Sequence, residues 1–390
     1  MIYLDCNATT PLCENARAAM LPYLERFHGN PSSVHAAGRH TRAAIDNARD
    51  EIAALLKAQP HEIVFTGGGT EANNLAVLGL ARSRAATGRH LVSCRTEHHA
   101  VLNALEHLQK AEGFEVTWLA TSSDGLVDPA ELQRALRPNT TLVTIMSANN
   151  ETGVIQPLEQ ISAICRDHEV LFHSDMVQSF GKIETDIRLV DAASFAAHKF
   201  YGPKGAGFVF VRSGLALEPI MFGGAHENQR RPGTENPAAI AGMAVAAKWT
   251  LQDMDVEQAR QAELRDQLWR GIESTVPGAM ANAAMANRLA NTLNVSFPGI
   301  DSETMLMALD LEGEGLCASS GSACMVGSVV ASHVLLAMGL PRERAGSAIR
   351  FSLGKFTTQS EIEEAISVVE RVTKRLGATR ARPSHSHAAA

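Results

Sequence analysis

Residues 194–205 read SFAAHKFYGPKG and place Lys199, with His198 beside it, in a Gly/Pro-rich turn between two apolar runs. The pattern predicts strands over residues 192–195 and 207–211, so the lysine directly follows a buried strand. A lysine that traps a carbonyl group needs rigid support, partial desolvation and access to a ligand. Because a lone lysine in such a turn is more often solvated, its interpretation depends on other parts of the chain.

A second strand ends in an acid. Residues 170–175 read VLFHSD, a mostly apolar run that closes on Asp175. A carboxylate at the carboxyl end of a parallel strand points into the ligand crevice of an open α/β sheet. Pyridoxal phosphate (PLP) requires an acid beside its pyridinium nitrogen, since the protonated ring is the electron sink. Taken alone, Asp175 would more often cap a helix or a turn.

A glycine run follows another short strand. Residues 64–74 read VFTGGGTEANN, with a helix predicted to begin at Thr70. Glycines such as Gly69 let the backbone approach an anion closely, and the first amides of the helix then face it. No Lys-Ser/Thr pair follows the glycines, so the segment is not a P-loop. It is a candidate phosphate site, although a glycine run is often only a turn.

A cysteine lies in a segment of small residues. Residues 317–324 read CASSGSAC and end at Cys324. Side chains this small make little packing contact, so we expect an exposed, mobile thiol, which suits a nucleophile that must move. An incidental surface cysteine is the alternative.

The order of predicted elements gives the fold class. From residue 63 to residue 211, short apolar runs alternate with helical patterns. This alternation predicts an α/β fold with a mostly parallel sheet and helices on both faces. Ligand groups then belong at the carboxyl ends of the strands. Six candidate residues lie at or just after such ends: Thr70, His98, Asn150, Asp175, Gln178 and Lys199.

Composition narrows the class of protein. The net charge is −7, which gives no reason to expect nucleic-acid binding. Six cysteines without CxxC spacing predict neither a disulfide framework nor a metal site, and they fit a reducing, cytoplasmic compartment. The first residues do not read as a signal peptide, and no apolar stretch approaches the ~20 residues of a membrane span, so we expect no membrane association.

Taken together, these segments resemble one family. The chain is similar, from about residue 3 to about residue 376, to the cysteine desulfurases of the nitrogen-fixation and iron–sulfur-assembly type, which are class V aminotransferase-like PLP enzymes. The motifs that carry the resemblance occur in family order: DCNATT (5–10), GNPSSVH (29–35), GTE (69–71), TEH (96–98), NNETG (149–153), DMVQS (175–179), HK (198–199), RPGTEN (231–236), SSGSAC (319–324) and IRFS (349–352). Each motif is weak alone, whereas the ordered set is specific.

The resemblance implies a PLP-dependent transferase of fold type I, the aspartate-aminotransferase-like fold. A large, mostly parallel-sheet PLP-binding domain is expected over residues 13–255. A smaller α+β domain, which carries the cysteine loop, is expected over residues 1–12 and 256–376. We further predict one long helix over residues 237–274 that bridges the domains, and a disordered tail over residues 377–390.

The resemblance also implies roles for single residues. Lys199 holds PLP and moves the Cα proton, His98 stacks on the ring and assists proton transfer, and Cys324 is the nucleophile. His99 is the alternative to His98 for ring stacking and proton transfer, and the Glu-His order of residues 97 and 98 favours His98. The remaining expected contacts are to the pyridinium nitrogen (Asp175), the phenolic oxygen region (Asn150, Gln178), the phosphate (Gly69, Thr70, His198, and Thr234 of the partner subunit) and the substrate carboxylate (Arg350, Asn30 and Asn150).

The implied reaction converts L-cysteine to L-alanine, with sulfur left on Cys324 as a persulfide and passed to an acceptor protein by a homodimeric enzyme. The sequence departs from the family at Cys6, Ala196 and Ala197. Many members carry a serine that binds the phosphate where Ala196 stands. Four readings stay open: desulfurase, selenocysteine lyase or another C–S lyase, aminotransferase, and a non-catalytic scaffold for sulfur transfer.

Overall fold

The computed structural model of the protein describes residues 1–283, 287–320 and 331–380. Its strands are β1 (Ile2–Tyr3), β2 (Ile63–Thr66), β3 (His90–Cys94), β4 (Glu115–Leu119), β5 (Thr140–Thr144), β6 (Leu171–Asp175), β7 (Ala192–Ala196), β8 (Gly207–Val211), β9 (Met280–Ala281), β10 (Thr292–Ser296), β11 (Leu316–Cys317) and β12 (Ala348–Ser352). Its α-helices are α1 (Glu14–Glu25), α2 (Ala36–Leu56), α3 (Gly69–Ser83), α4 (His99–Ala111), α5 (Pro129–Ala135), α6 (Leu158–Asp167), α7 (Pro237–Leu251), α8 (Met254–Thr275), α9 (Ser302–Asp310), α10 (His333–Ala337), α11 (Arg342–Gly346) and α12 (Gln359–Arg380).

Seven strands form the main sheet in the order β2-β8-β7-β6-β5-β3-β4. The pairs from β4 to β7 are parallel, and β8 runs antiparallel to both of its neighbours. The carboxyl ends of β2, β3, β5, β6 and β7 therefore meet at one edge of the sheet. This α/β architecture confirms the predicted class and explains why the candidate residues converge.

Both faces of the main sheet are buried, as parallel sheets require. Alternate residues of each strand point to opposite faces, so Leu91 and Leu142 belong to one apolar cluster with α3 and α4. Their neighbours Val92 and Val143 belong to another with α2, α6 and α7. Strands buried on both faces read as continuous apolar runs, which is why the sequence revealed them.

A smaller sheet, β12-β10-β9, carries the second part of the fold. Its strands pack with α8, α9 and α12 around a separate apolar cluster that includes Ile2, Leu293 and Phe351. Arg350 lies at the middle of β12, opposite Asn294 of β10. The backbone of Ser319 also pairs with that of Arg350, with N–H···O distances of 3.1 and 2.6 Å. The segment before residue 321 is thereby fixed beside the arginine.

Two expectations require correction. The single helix over residues 237–274 is wrong, because α7 and α8 are separated at Asp253, whose φ of −124° and ψ of 31° leave the helical region. The second concerns where the last helix ends, because α12 continues to Arg380, past the predicted boundary at residue 377. Residues 381–390 lie outside the described residues, so the tail itself stays a prediction. The domain boundaries stay a prediction. Within the described ranges, no helix is both long enough and apolar enough to cross a membrane.

Candidate active site

A cavity of about 330 Å³ opens at the carboxyl ends of the parallel strands. Nine of the predicted site residues line it: Gly69, Thr70, His98, Asn150, Asp175, Gln178, His198, Lys199 and Arg350. His99, the alternative to His98, also lines the cavity, together with Asn7, Asn73, Glu151, Ser319 and His333, which are not among the predicted site residues. The two sheets thus contribute to a single cavity.

Lys199 ends a short helical turn, Ala197–Lys199, that directly follows β7. Its Nζ donates to the backbone carbonyl oxygens of Asn7 and Ala8, both at 2.7 Å. Burial, and next the positive charge of Arg350, lower the pKa of the Lys199 ammonium to about 8. A depressed pKa makes the neutral, nucleophilic amine available near physiological pH, as carbonyl chemistry requires.

Asp175 is the last residue of β6, and its side chain is held from two sides. Oδ2 accepts a 2.7 Å hydrogen bond from Nδ2 of Asn73, and Oδ1 accepts one of 3.0 Å from the amide of Val177. Burial raises the pKa of the Asp175 carboxyl, while His98 and the two hydrogen bonds oppose the shift. The carboxyl is therefore oriented and desolvated, as a partner of a buried cation should be.

His98 caps the amino end of α4, and its Nδ1 accepts a 3.1 Å hydrogen bond from the amide of Ala100. In the neutral ring, Nε2 must then carry the proton. Burial lowers the pKa of His98, with Asp175 acting in the opposite direction. A neutral imidazole with a fixed tautomer faces the cavity, so His98 can donate a proton or stack on a flat ring.

The amino end of α3 forms another wall. At Gly69 a Cβ would lie 3.0 Å from Cγ2 of Val177 and 3.1 Å from Cβ of Ala196, so a larger residue would crowd this wall. The 15-residue helix directs its first amides here, a favourable position for an anion. His198 lines the same region, and burial lowers its pKa to about 4. Its ring is therefore neutral, and its buried Nδ1 has no hydrogen-bond partner among the described residues.

Arg350 enters the cavity from the smaller sheet. Its Nη2 lies 2.7 Å from Oδ1 of Asp5, and its Nη1 donates a 3.0 Å bond to the backbone oxygen of Asn150. The side chain is 4% exposed, and Nε has no partner among the described residues. A rigid guanidinium with free N–H groups is well suited to bind a carboxylate.

A half-buried lysine that the sequence did not predict lies behind the cavity. Lys182 Nζ donates to Oδ1 of Asn7 at 2.9 Å and to Oε1 of Gln178 at 2.8 Å. Nε2 of Gln178 in turn donates a 2.9 Å hydrogen bond to the backbone oxygen of Asn7. Burial lowers the pKa of Lys182 to about 7. These contacts fix the orientation of Gln178 from behind the cavity.

Two of the predicted site residues that the structure describes, Asn30 and Thr234, do not line this cavity. Asn30 is exposed, and its Oδ1 accepts a 2.8 Å bond from the amide of Ser32, an ordinary turn contact. Thr234 is also exposed, so its expected contact across a dimer stays a prediction. Cys324 lies outside the described residues. However, the described residues on either side of its segment, Ser319 and His333, both line the cavity.

The unexplained cysteine of the sequence has a packing role. Cys6 is 4% exposed, and a Cβ on Gly354 would lie 2.6 Å from its Sγ and 2.9 Å from the hydroxyl of Tyr201. The thiol therefore fills space beside a glycine, and burial raises its pKa to about 12. It does not line the cavity described above.

These side chains fit pyridoxal phosphate. The cavity combines a lysine of lowered pKa, a buried carboxyl fixed by Asn73, and a helix amino end lined by glycine. The unpartnered Nδ1 of His198 lies in that lining and can serve a further polar group. Lys199 would hold the aldehyde, Asp175 the ring nitrogen, and Gly69, Thr70 and His198 the phosphate.

Comparison with known proteins agrees with this geometry. The family model for class-V aminotransferases matches residues 2–365. A cysteine desulfurase IscS of Dictyoglomus turgidum is 44% identical over 377 residues, which is 96% of this chain and 95% of the relative. A solved NifS-like protein superimposes with a TM-score of 0.90 at 35% identity, over 96% of this chain and 99% of its own. The solved structure of SspA in complex with cysteine superimposes with a TM-score of 0.80 at 35% identity, over 92% of this chain and 100% of its own.

The match therefore spans the main sheet, the smaller sheet and the cavity between them. It confirms the expected fold type and the expected family, and the chain belongs to the class-V aminotransferase family.

Proposed function

We propose that this protein is a PLP-dependent cysteine desulfurase, which converts L-cysteine to L-alanine and retains the sulfur on Cys324 as a persulfide. The observation that carries the proposal is the placement of Lys199, Asp175 and Arg350 around one cavity, in a chain 44% identical to a cysteine desulfurase. Arg350 can bind the carboxylate of an amino-acid substrate, while Lys199 and Asp175 can bind the aldehyde and the ring nitrogen of the cofactor.

Arg350, Lys199 and His98 have separate roles in binding the substrate and moving its protons. PLP, when bound, supplies an electron sink for the charge that develops at the substrate Cα. Arg350 binds the substrate carboxylate through N–H groups that its contacts to Asp5 and Asn150 leave free. That contact places the substrate Cα near Lys199, whose amine accepts the Cα proton because its pKa is about 8. His98 donates from Nε2 to the carbon that loses sulfur.

The sulfur step belongs to Cys324. Its thiolate attacks the substrate sulfur, so an S–S bond forms while the Cβ–S bond breaks, and the electron pair on Cβ takes up a proton to give alanine. The sum is one enzyme thiol and one L-cysteine converted to one enzyme persulfide and one L-alanine. No external oxidant or reductant is needed until the persulfide is passed on.

We further propose that the enzyme acts in the cytoplasm as a homodimer, with Thr234 of one subunit near the partner's cofactor phosphate. The sulfur then passes to an acceptor protein for iron–sulfur cluster assembly or another sulfur-containing product. The printed name of the relatives, cysteine desulfurase, supports only the removal of sulfur from cysteine. Pull-down with the persulfidated enzyme would identify the acceptor, and size-exclusion chromatography would test the dimer.

The decisive test measures alanine and sulfide from L-cysteine in the presence of a thiol reductant, with wild type beside Cys324→Ala. Equal amounts of both products from wild type, lost in the variant, support a desulfurase that works through Cys324. Activity that survives in the variant would instead indicate a thiol-independent C–S lyase. A parallel assay with L-selenocysteine separates a selenocysteine lyase, because that enzyme would turn over only the selenium compound.

A further inference from the structure

One buried carboxyl in the cavity wall has no role in the mechanism above. Glu151 lies in the turn after β5, directly beside Asn150, and is 1% exposed. Oδ1 of Asn149 accepts hydrogen bonds from the backbone amides of Glu151 and Thr152, both at 2.9 Å, and so fixes the turn. The carboxyl lines the same cavity as Lys199. A fully buried acid placed in a substrate cavity calls for a physical explanation.

The two oxygens of Glu151 differ. Oε2 accepts a hydrogen bond from Oγ of Ser332. Oε1 has no hydrogen-bond partner among the described residues and lies 4.0 Å from Nδ1 of His333, which has none there either. Two buried polar atoms thus face each other across a gap slightly longer than a hydrogen bond.

The tautomer of His333 follows from its other nitrogen. Nε2 lies 3.0 Å from the backbone oxygen of Glu97, which can only accept, so Nε2 must be the donor. In the neutral ring, the lone pair is then on Nδ1, the atom that lies 4.0 Å from Oε1 of Glu151. A lone pair in that position repels an ionised carboxylate and favours a protonated one.

The surrounding charges act on the same carboxyl. Burial raises the pKa of Glu151 to about 7, and Ser332, Arg350 and His99 oppose the shift in that order. The ring of His99 lies 4.4 Å from that of His333, and the pKa values of both imidazoles are lowered by burial. Arg350 is therefore the one permanent cation among the groups that act on Glu151 in the described structure.

We propose that Glu151 is a proton-bearing positioning residue for substrate binding. In its neutral form it leaves Arg350 free for the carboxylate of the amino-acid substrate, and in its ionised form it competes for that cation. The proposal rests on the proposed function in one respect, which is the assignment of Arg350 as the carboxylate ligand. It predicts a site that binds its substrate less well as pH rises through neutrality.

Substrate affinity, rather than the chemical step, should carry the signature. L-Alanine is a suitable probe, because it has the carboxylate and amine of the substrate but no thiol to titrate. Its dissociation constant is read from the absorbance of the cofactor in the holoenzyme between pH 6 and 8.5. We expect the dissociation constant of wild type to rise with pH at least about fivefold more than that of Glu151→Gln, a coupling of ordinary size for two interacting sites.

Ser332 provides a second test that keeps the acid in place. Ser332→Ala removes the donor to Oε2, so the pKa of Glu151 rises and the loss of affinity moves to higher pH. Ser332→Thr keeps the hydroxyl, including its contact with the amide of Leu335 at the start of α10, and should retain the wild-type midpoint. The two Ser332 variants test the role of Glu151 even if Glu151→Gln folds poorly.

The outcomes separate the inference from the proposed function. Parallel pH curves for wild type and Glu151→Gln, with an unmoved midpoint in Ser332→Ala, would overturn the role of Glu151 alone. A holoenzyme whose cofactor absorbance does not respond to L-alanine at any pH would count against the site assignment itself. A steeper curve in wild type than in the glutamine variant, together with an alkaline shift in Ser332→Ala, supports the proposal.

Discussion

Asn73 Nδ2 donates a 2.7 Å hydrogen bond to Oδ2 of Asp175, although the two residues lie 102 positions apart. Asn73 is 1% exposed and projects from α3, the helix whose amino end also lines the phosphate side of the cavity. One helix therefore orients the acid at one end of the proposed cofactor and forms the anion site at the other.

Asn73→Ala should loosen the cofactor. Without the amide, Oδ2 of Asp175 loses a donor that lowers the pKa of the carboxyl, so the acid holds its ring partner less well. A hydrogen bond to a charged group contributes ~1.5–3 kcal/mol, so we expect cofactor loss on dialysis to be about tenfold faster or more. The measurement is the time course of PLP absorbance in dialysed holoenzyme.

Asn74→Ala is the matched control, one residue further along the same helix. Its Nδ2 donates to the backbone oxygen of Thr70 at 2.9 Å and makes no contact with Asp175 in the described structure. We expect its rate of cofactor loss to stay much closer to wild type. Equal rates in wild type and Asn73→Ala would show that the backbone amide of Val177 is enough to hold the acid.

Reconstitution of the apoprotein should depend on pH through Lys199. Only the neutral amine reacts with an aldehyde, so the rate of PLP incorporation should rise with pH, with a midpoint near the Lys199 pKa of about 8. Arg350→Gln removes the cation that contributes to the lowered pKa, and the midpoint should move upward. Stopped-flow absorbance across pH 6.5–10 measures both.

Arg350→Lys keeps the positive charge and should leave the midpoint near that of wild type. Identical midpoints in Arg350→Gln and wild type would mean that burial alone depresses the Lys199 pKa. The comparison is independent of turnover, because no substrate is present.

The sequence revealed the residues that follow strands, and the structure explains why. Asp175, Lys199 and His98 each end or follow a buried apolar run, and a strand that is buried on both faces is visible from its composition. Their convergence follows from the parallel order of the sheet. This part of the site depends on local pattern and on a general rule of topology.

The residues that support the site could not be predicted in the same way. Asn73 lies inside a helix, and Lys182 lies in a turn; neither position has a local sequence signal that would predict its partner. Glu151 and His333 are 182 positions apart, and their contact depends on how the smaller sheet packs against the main one. Side chains that act through such tertiary contacts become visible only when the register of both sheets is known.

Ala196 offers a gain-of-function test. Its Cβ faces Gly69 at the amino end of α3. The family resemblance implies that many members carry a phosphate-binding serine at the position of Ala196. Ala196→Ser adds a donor at the proposed phosphate site. One further hydrogen bond to a charged group should slow cofactor loss about tenfold. Wild type is itself the matched control, since alanine is serine without the hydroxyl, and an unchanged rate would mean that the hydroxyl does not reach the phosphate.

Glu97 should make the stability of the fold depend on pH. The side chain is fully buried, and Oε1 accepts a 2.6 Å bond from the amide of Met146, while Oε2 has no partner in the described part of the chain. Burial raises the pKa of Glu97 to about 8, far above its ordinary value of 4.5. Between these two values the folded protein keeps a proton that the unfolded chain releases.

This contribution to the free energy of unfolding is therefore fully present below about pH 4.5 and is lost as pH rises toward 8. Glu97→Gln cannot titrate, so its stability should fall less steeply than that of wild type over this range, with a difference of up to about 5 kcal/mol. Urea unfolding at several pH values from 5 to 8.5 measures the two slopes. The control is Glu106→Gln. A hydrogen bond from Lys110 lowers the pKa of the Glu106 carboxyl, so this variant should show the same change of stability with pH as wild type over this range. If Glu97→Gln runs parallel as well, the buried carboxyl is ionised throughout and its environment is more polar than its contacts indicate.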